Sequence, residues 1–168
     1  MKRLFVLLSL LVAVMLQLAI LGRIQLQYGN LDVLLLVVIA WALQKNIGLQ
    51  DVIWIALFSG GLIGFISAES FWLVLIIYLL SGLVAFWINN HVWQFSILSM
   101  SLCAVLFSLL HLLAFAIWLQ FSGANITLAQ SMETVILPSV LLAFFASIPV
   151  YLVIRELYVW IFPSEEEV

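Results

Sequence analysis

The sequence predicts an all-α integral membrane protein, a bundle of six transmembrane helices with both termini in the cytoplasm. Composition, the spacing of charges and the placement of tryptophans carry this prediction. Of 168 residues, 67% are hydrophobic and 8% are charged, and the mean hydropathy is +1.34. A soluble domain carries about 25% charged residues. No single globular core hides this much apolar surface, so the surrounding solvent is lipid. That excludes a soluble enzyme, a nucleic-acid binder and a disordered chain. The net charge is −3, and three of the acids form the tail Glu165, Glu166 and Glu167. One cysteine, Cys103, offers neither a disulfide framework nor a thiolate metal site.

Charges and turn residues cut the chain into six apolar blocks within one transmembrane domain, residues 1–168. Span one, residues 4–22, is uncharged and reaches about 28 Å at 1.5 Å per residue, enough to cross. A secretory signal would be followed by a small-residue cleavage site. Arg23-Ile24-Gln25 stands there instead, so the segment reads as a retained helix. Span two, 24–44, is awkward, because its charge-free core is only Val33–Leu43 and Asp32 falls inside the longer version. Either Asp32 lies near a headgroup, or the segment opens with irregular backbone packed against other helices. Spans three to six are clearer, at 52–68, 71–88, 96–119 and 134–154, and 155–168 is left as a short cytoplasmic acidic tail.

With six spans, Lys2, Arg3, Lys45 and Arg155 fall on one side and Arg23 on the other. The basic side is cytoplasmic by the positive-inside rule. Trp41, Trp54, Trp72, Trp87, Trp93, Trp118 and Trp160 all lie near a proposed helix end, where indoles prefer the headgroup level. Loops are short except for 120–133. There Ser122-Gly123 marks a turn, and Asn125-Ile126-Thr127 forms a glycosylation-type triplet of a kind common by chance.

In lipid, helices associate through close packing of small residues. Span three shows Ala56, Gly60, Gly64 and Ala68 at a four-residue period, with Gly61 beside them. Span six offers Ser139, Ala143 and Ser147, span one Ser9, Ala13 and Gln17, and span five Ser101, Ala104, Ser108 and His111. Internal packing is the plainer reading of such faces. The functional reading makes the span-three stripe a groove for a partner helix.

Ionisable groups inside a membrane count as functional hypotheses. His111 lies deep in span five with Ser108 one turn back. A proton relay there needs a carboxylate at the same depth, which the linear order does not reveal, so His111 is expected to be neutral and bonded to a neighbouring helix. His91 is expected to be solvated. Arg23, Asp32, Glu69 and Glu133 map near the outer surface as a candidate polar patch or ligand rim. Asp51 suits the start of span three as a cap. The chain has no HExxH, CxxC or phosphate-cradling glycine loop, and Gly60-Gly61-Leu62-Ile63-Gly64 reads as helix packing. No catalytic set, cofactor or metal is expected, and no span has the continuous polar stripe of a pore.

Four stretches resemble the MreD family of bacterial rod-shape-determining membrane proteins. They are Asn30-Leu31-Asp32-Val33-Leu34-Leu35-Leu36, Phe58-Ser59-Gly60-Gly61-Leu62 within Gly48 to Phe65, Tyr78-Leu79-Leu80-Ser81-Gly82, and Leu137-Pro138-Ser139-Val140-Leu141-Leu142 running to Ile148-Pro149-Val150-Tyr151. The layout covers nearly the whole chain. Leu31, Gly64 and Leu142-Ala143 stand where the family often carries proline, aspartate and asparagine, so no site is carried over there.

The resemblance implies a non-enzymatic scaffold of the bacterial elongation complex in the cytoplasmic (inner) membrane. It would bind MreC, a single-span periplasmic coiled-coil protein. Directly or indirectly it would act with the filament protein MreB, the glycosyltransferase RodA and a class B penicillin-binding protein. The family's fold is similar to the six-helix substrate-binding subunits of energy-coupling-factor vitamin transporters, which supplies the alternative function.

Overall fold

A computed structural model describes residues 2–21, 30–45, 47–67, 69–91, 96–122 and 131–162. Every regular element among them is helical. Helix α1 (Lys2–Leu16) runs on into a π-helical turn, Gln17–Leu21. It is followed by α2 (Val33–Ala42), α3 (Leu49–Ile66), α4 (Phe71–His91) and α5 (Ser96–Phe121). Last comes α6 (Leu137–Ile161), entered through a π-helical turn over Met132–Ile136. Four of these, α3, α4, α5 and α6 with its π turn, are long and apolar enough to cross a membrane. The chain is a helical multi-pass membrane protein.

The surface and interior are arranged for lipid. Phe65, Phe121 and Trp160 are 84%, 86% and 74% exposed, which water would penalise. The buried set includes Ser59, Ser81, Ser99, Ser108, Ser139, Ser147 and His111. With lipid outside, apolar burial between helices yields little, and close packing with interhelical hydrogen bonds takes over. Ser101 Oγ and Ser147 Oγ, 3.1 Å apart, join α5 to α6 in this way.

Helix α2 is the hub. Its ten residues, VLLLVVIAWA, are apolar on every side, the pattern of a helix surrounded by protein. Leu34 through Ala42 are all buried, and α2 touches each of the other five helices. At 1.5 Å per residue it is about 15 Å long, half of what a crossing needs. The helix expected over 24–44 is therefore much shorter within the described residues. Asn30 to Asp32 is non-helical, and the Asn30 backbone N–H is bonded to Ser139 Oγ at 2.7 Å.

Two further expectations are corrected. Trp41 is not at a headgroup: it is fully buried, and its indole N–H donates to Ser9 Oγ at 3.0 Å. An indole can sit in a core once its N–H finds an acceptor. Trp54, Trp72, Trp87, Trp118 and Trp160 are on the surface, and Trp93 lies outside the described residues. The tail expected from Arg155 is instead helical as far as Ile161. It is anchored by the Tyr158 hydroxyl, which donates to the Lys45 carbonyl. The acidic tip Glu165–Glu167 and the triplet at Asn125 lie outside the described residues.

The span-three stripe is taken up inside the chain. A Cβ on Gly60 would lie 3.1 Å from Tyr78 Cβ and 3.2 Å from Leu75 Cα, and one on Gly64 would fall 2.7 Å from the Phe71 ring. Reciprocally, a Cβ on Gly82 would come within 3.2 Å of Val52 and 3.5 Å of Ala56. These bare positions let α3 and α4 pack closely, as small residues do between membrane helices. The face expected to receive a partner helix is thus occupied by α4. Only Gly61 among these glycines meets nothing within 4 Å, and Ala68 lies outside the described residues.

Candidate functional site: a polar cluster at one end of the bundle

Asp32 caps α2. Its Oδ1 accepts the Leu35 backbone N–H at 3.1 Å, the usual bond from a capping carboxylate to the third helical residue. A second free N–H of that first turn, on Leu34, is taken by Gln17 Oε1 of α1's π turn at 3.0 Å. The buried start of α2 therefore has two of its free donors, on Leu34 and Leu35, satisfied by side chains, as a helix end away from water requires.

The rest of the Asp32 carboxylate faces α4 and α5. The Tyr78 hydroxyl is 2.7 Å from both of its oxygens. His111 Nδ1 stands 3.5 Å from Oδ2, an ion-pair approach too long for a good hydrogen bond. The other ring nitrogen, Nε2, lies 2.8 Å from Glu69 Oε2, a firm bond. Glu69 belongs to the turn between α3 and α4, where its backbone N–H donates to Ser67 Oγ at 3.1 Å. The Tyr78 and His111 rings meet edge to face, with centroids 6.4 Å apart.

Both imidazole nitrogens thus face carboxylates. A neutral imidazole carries one N–H and one lone pair, so one nitrogen would present a lone pair to an acceptor. A proton shared among His111, Asp32 and Glu69 removes that clash. The cluster can hold and relay a proton between two carboxylates, and it ties four parts of the fold together. The expectation that His111 lacks a carboxylate at its own depth is overturned, since two converge on it.

Beside the cluster lies a cavity of about 200 Å3. Its polar lining comes from Gln17, Asn30, Asp32, Ser67, Glu69, Ser108 and His111, and its apolar wall from Ile63, Ile66, Leu18 and Leu112. Ser108 and His111, one turn apart on α5, are not bonded to one another: the two ring nitrogens are directed at Asp32 and Glu69. Among the described residues, no three His, Cys, Asp or Glu side chains are arranged to hold a metal ion.

Of the polar patch expected near the surface, Asp32 and Glu69 meet at His111. Glu133 is exposed on the turn entering α6 and does not line the cavity, and Arg23 lies outside the described residues. Tyr78 opens one of the stretches that resemble MreD but is not among the candidate site residues, although it shares a buried face with Ser81, Gly82 and Ala85. A hydroxyl on the small-residue face of a membrane helix was the available signal. Compared with known proteins, the chain matches no family model, no curated protein and no solved structure.

Proposed function

We propose that this chain is a non-enzymatic membrane scaffold of the bacterial elongation complex, one that binds MreC and helps regulate peptidoglycan synthesis and rod shape. One observation carries the reading. The four short stretches on which the resemblance to MreD rests, separated in sequence, are linked by contacts to one another. Asn30 is bonded to Ser139, Asp32 accepts the Tyr78 hydroxyl, and Gly60 abuts Tyr78. Stretches that make one another's contacts support a shared fold better than stretches that merely follow in order.

The receiving surface in this proposal is the cleft between α1 and α6. It has a volume of about 520 Å3 and an almost wholly apolar lining that includes Phe5, Val12, Ala13, Val37, Val150 and Trp160. Its floor is α2, so a helix docked there would press on the element that carries Asp32. MreC's single transmembrane helix is the proposed occupant, while Lys45 and the end of α6 approach the filament side. The transporter alternative is less well supported by the polar cavity, because about 200 Å3 falls below the roughly 300–1,000 Å3 of sites for drug-sized ligands.

The test is affinity purification from the native host in mild detergent, with co-purifying chains identified by mass spectrometry. Recovery of MreC with RodA and its penicillin-binding partner is the expected result. Recovery of an ATPase pair with a coupling subunit would overturn the scaffold reading.

A further inference from the structure

The cavity beside His111 has acceptors to spare. Glu69 uses Oε2 on His111, and its Oε1 has no partner among the described residues, with the side chain still 20% exposed. Ser108 is only 7% exposed, lines the cavity and makes no hydrogen bond among the described residues. Among the described residues no fully sealed side-chain polar atom lacks a partner, so the Ser108 hydroxyl is open to the cavity. An unpartnered hydroxyl this deep in a membrane helix is costly unless something fills its bonds.

The charge balance selects the class of ligand. Among the described lining residues, two carboxylates face the space and the single imidazole supplies at most one positive charge, so this part of the lining is anionic by at least one unit. An anion is repelled, and the arrangement lacks the geometry for a metal ion among the described residues. We propose that this cavity binds a primary ammonium group on a short alkyl stem, of the ethanolamine type, with Glu69 and Ser108 accepting its N–H bonds. An ammonium offers three donors and no acceptor, which suits a lining with unused acceptors. Asp32 contributes charge rather than a further bond, being already occupied by Leu35, Tyr78 and His111. Ile63, Ile66 and Leu112 take the methylenes. The same chemistry is offered by a free small amine and by the headgroup of phosphatidylethanolamine. The site holds whether or not the chain docks MreC.

The experiment has two arms on the purified full-length chain in lipid-free maltoside detergent. In the first, thermal unfolding is followed with ethanolamine, ethylene glycol and tetramethylammonium. A free-amine site gives saturable stabilisation by ethanolamine alone, because ethylene glycol lacks the charge and tetramethylammonium lacks N–H donors. In the second, native mass spectrometry compares retained phosphatidylethanolamine with phosphatidylcholine. A headgroup site gives at least about a tenfold preference for the former, the scale of a hydrogen bond to a charged group. Either arm supports the proposal when its preference falls about tenfold in Glu69→Gln and in Ser108→Ala. The serine variant removes a single atom and keeps the fold if the glutamine variant does not. The proposal fails if ethanolamine is no better than tetramethylammonium and phosphatidylethanolamine no better than phosphatidylcholine. It also fails if the preference survives either substitution in a chain that still folds.

Discussion

His111 Nε2 lies 2.8 Å from Glu69 Oε2 across 42 positions of sequence, and this bond fastens the turn between α3 and α4 to the side of α5. The same imidazole reaches Asp32 at the start of α2. One side chain thus links the hub helix to the hairpin that packs on it. Removing either partner leaves a carboxylate or an imidazole in a poorly hydrated place, which costs more than the bond itself contributes.

A double-mutant cycle measures this link. His111→Ala and Glu69→Ala should each destabilise the chain by about 1–3 kcal/mol. The double variant should cost less than their sum by about 0.5–2 kcal/mol, the range seen for contacting pairs and for polar contacts between membrane helices. Denaturant unfolding in detergent, followed through tryptophan fluorescence, reads it. Strict additivity would mean that the 2.8 Å contact contributes nothing to stability.

Asp32 has two separable tasks, and its substitutions should rank accordingly. Asp32→Asn keeps an oxygen for the Leu35 N–H but loses the charge facing His111. Asp32→Ala loses the cap as well, at about 1 kcal/mol, and strips the Tyr78 hydroxyl of its acceptor. The alanine variant should therefore be less stable than the asparagine variant by about 1–2 kcal/mol. Tyr78→Phe, which removes one donor and leaves the cap in place, should cost less than Asp32→Ala in the same unfolding measurement.

The membrane class and helices α3, α4 and α5 were legible because uncharged blocks bounded by Asp51, Glu69 or turn residues leave few alternatives in lipid. The weakness of span two was also visible in the eleven residues from Val33 to Leu43. The cluster was not legible, for a reason of geometry. Depth read by counting residues assumes that each block crosses from face to face. Helix α2 does not: it starts at Asp32 beside His111, and the Glu69 turn reaches the same level. The 46 positions between Asp32 and Tyr78 leave no periodic trace. Trp41 misled for a related reason, since its preference for headgroups yields once Ser9 accepts its N–H.

Neighbouring glycines of α3 should respond in opposite ways. Gly60→Ala places a methyl against Tyr78 Cβ and the Leu75 backbone, neither of which can swing aside, so it should lower stability by about 1–3 kcal/mol, the cost of overpacking. Gly64→Ala places its methyl 2.7 Å from the Phe71 ring and 3.4 Å from the Phe71 Cα, with that ring held against Phe65 and Trp72, and should cost at least as much. Gly61→Ala enters open space and should be neutral or stabilising by about 0.5–1 kcal/mol, from the lower backbone freedom of alanine. Thermal unfolding of the three variants gives the order, and a Gly61→Ala as damaging as Gly60→Ala would refute the packing described for α3 on α4.

Trp41 provides a direct test of the hub. In a variant whose other six tryptophans are phenylalanine, Trp41 emission should be blue-shifted, and neither aqueous acrylamide nor brominated lipid should quench it, because its indole is fully enclosed by protein. A variant retaining Trp72 alone should be quenched, that ring being 70% exposed. Quenching of Trp41 by brominated lipid would place α2 at the bundle surface and overturn its central position.

The docking cleft and the α3 stripe make different predictions for partner binding. Val12 and Val150 line the cleft between α1 and α6, and Val12→Trp or Val150→Trp should fill it. If MreC's helix docks there, these variants should co-purify with several-fold less MreC while unfolding at nearly the parental temperature. Gly61→Leu, on the open position of α3, should leave recovery unchanged. The reverse pattern, with recovery lost on bulk at Gly61 and retained with the cleft filled, would return the docking surface to α3. Gly60 and Gly64 cannot decide the question, because bulk at either one strikes α4 before it reaches any partner.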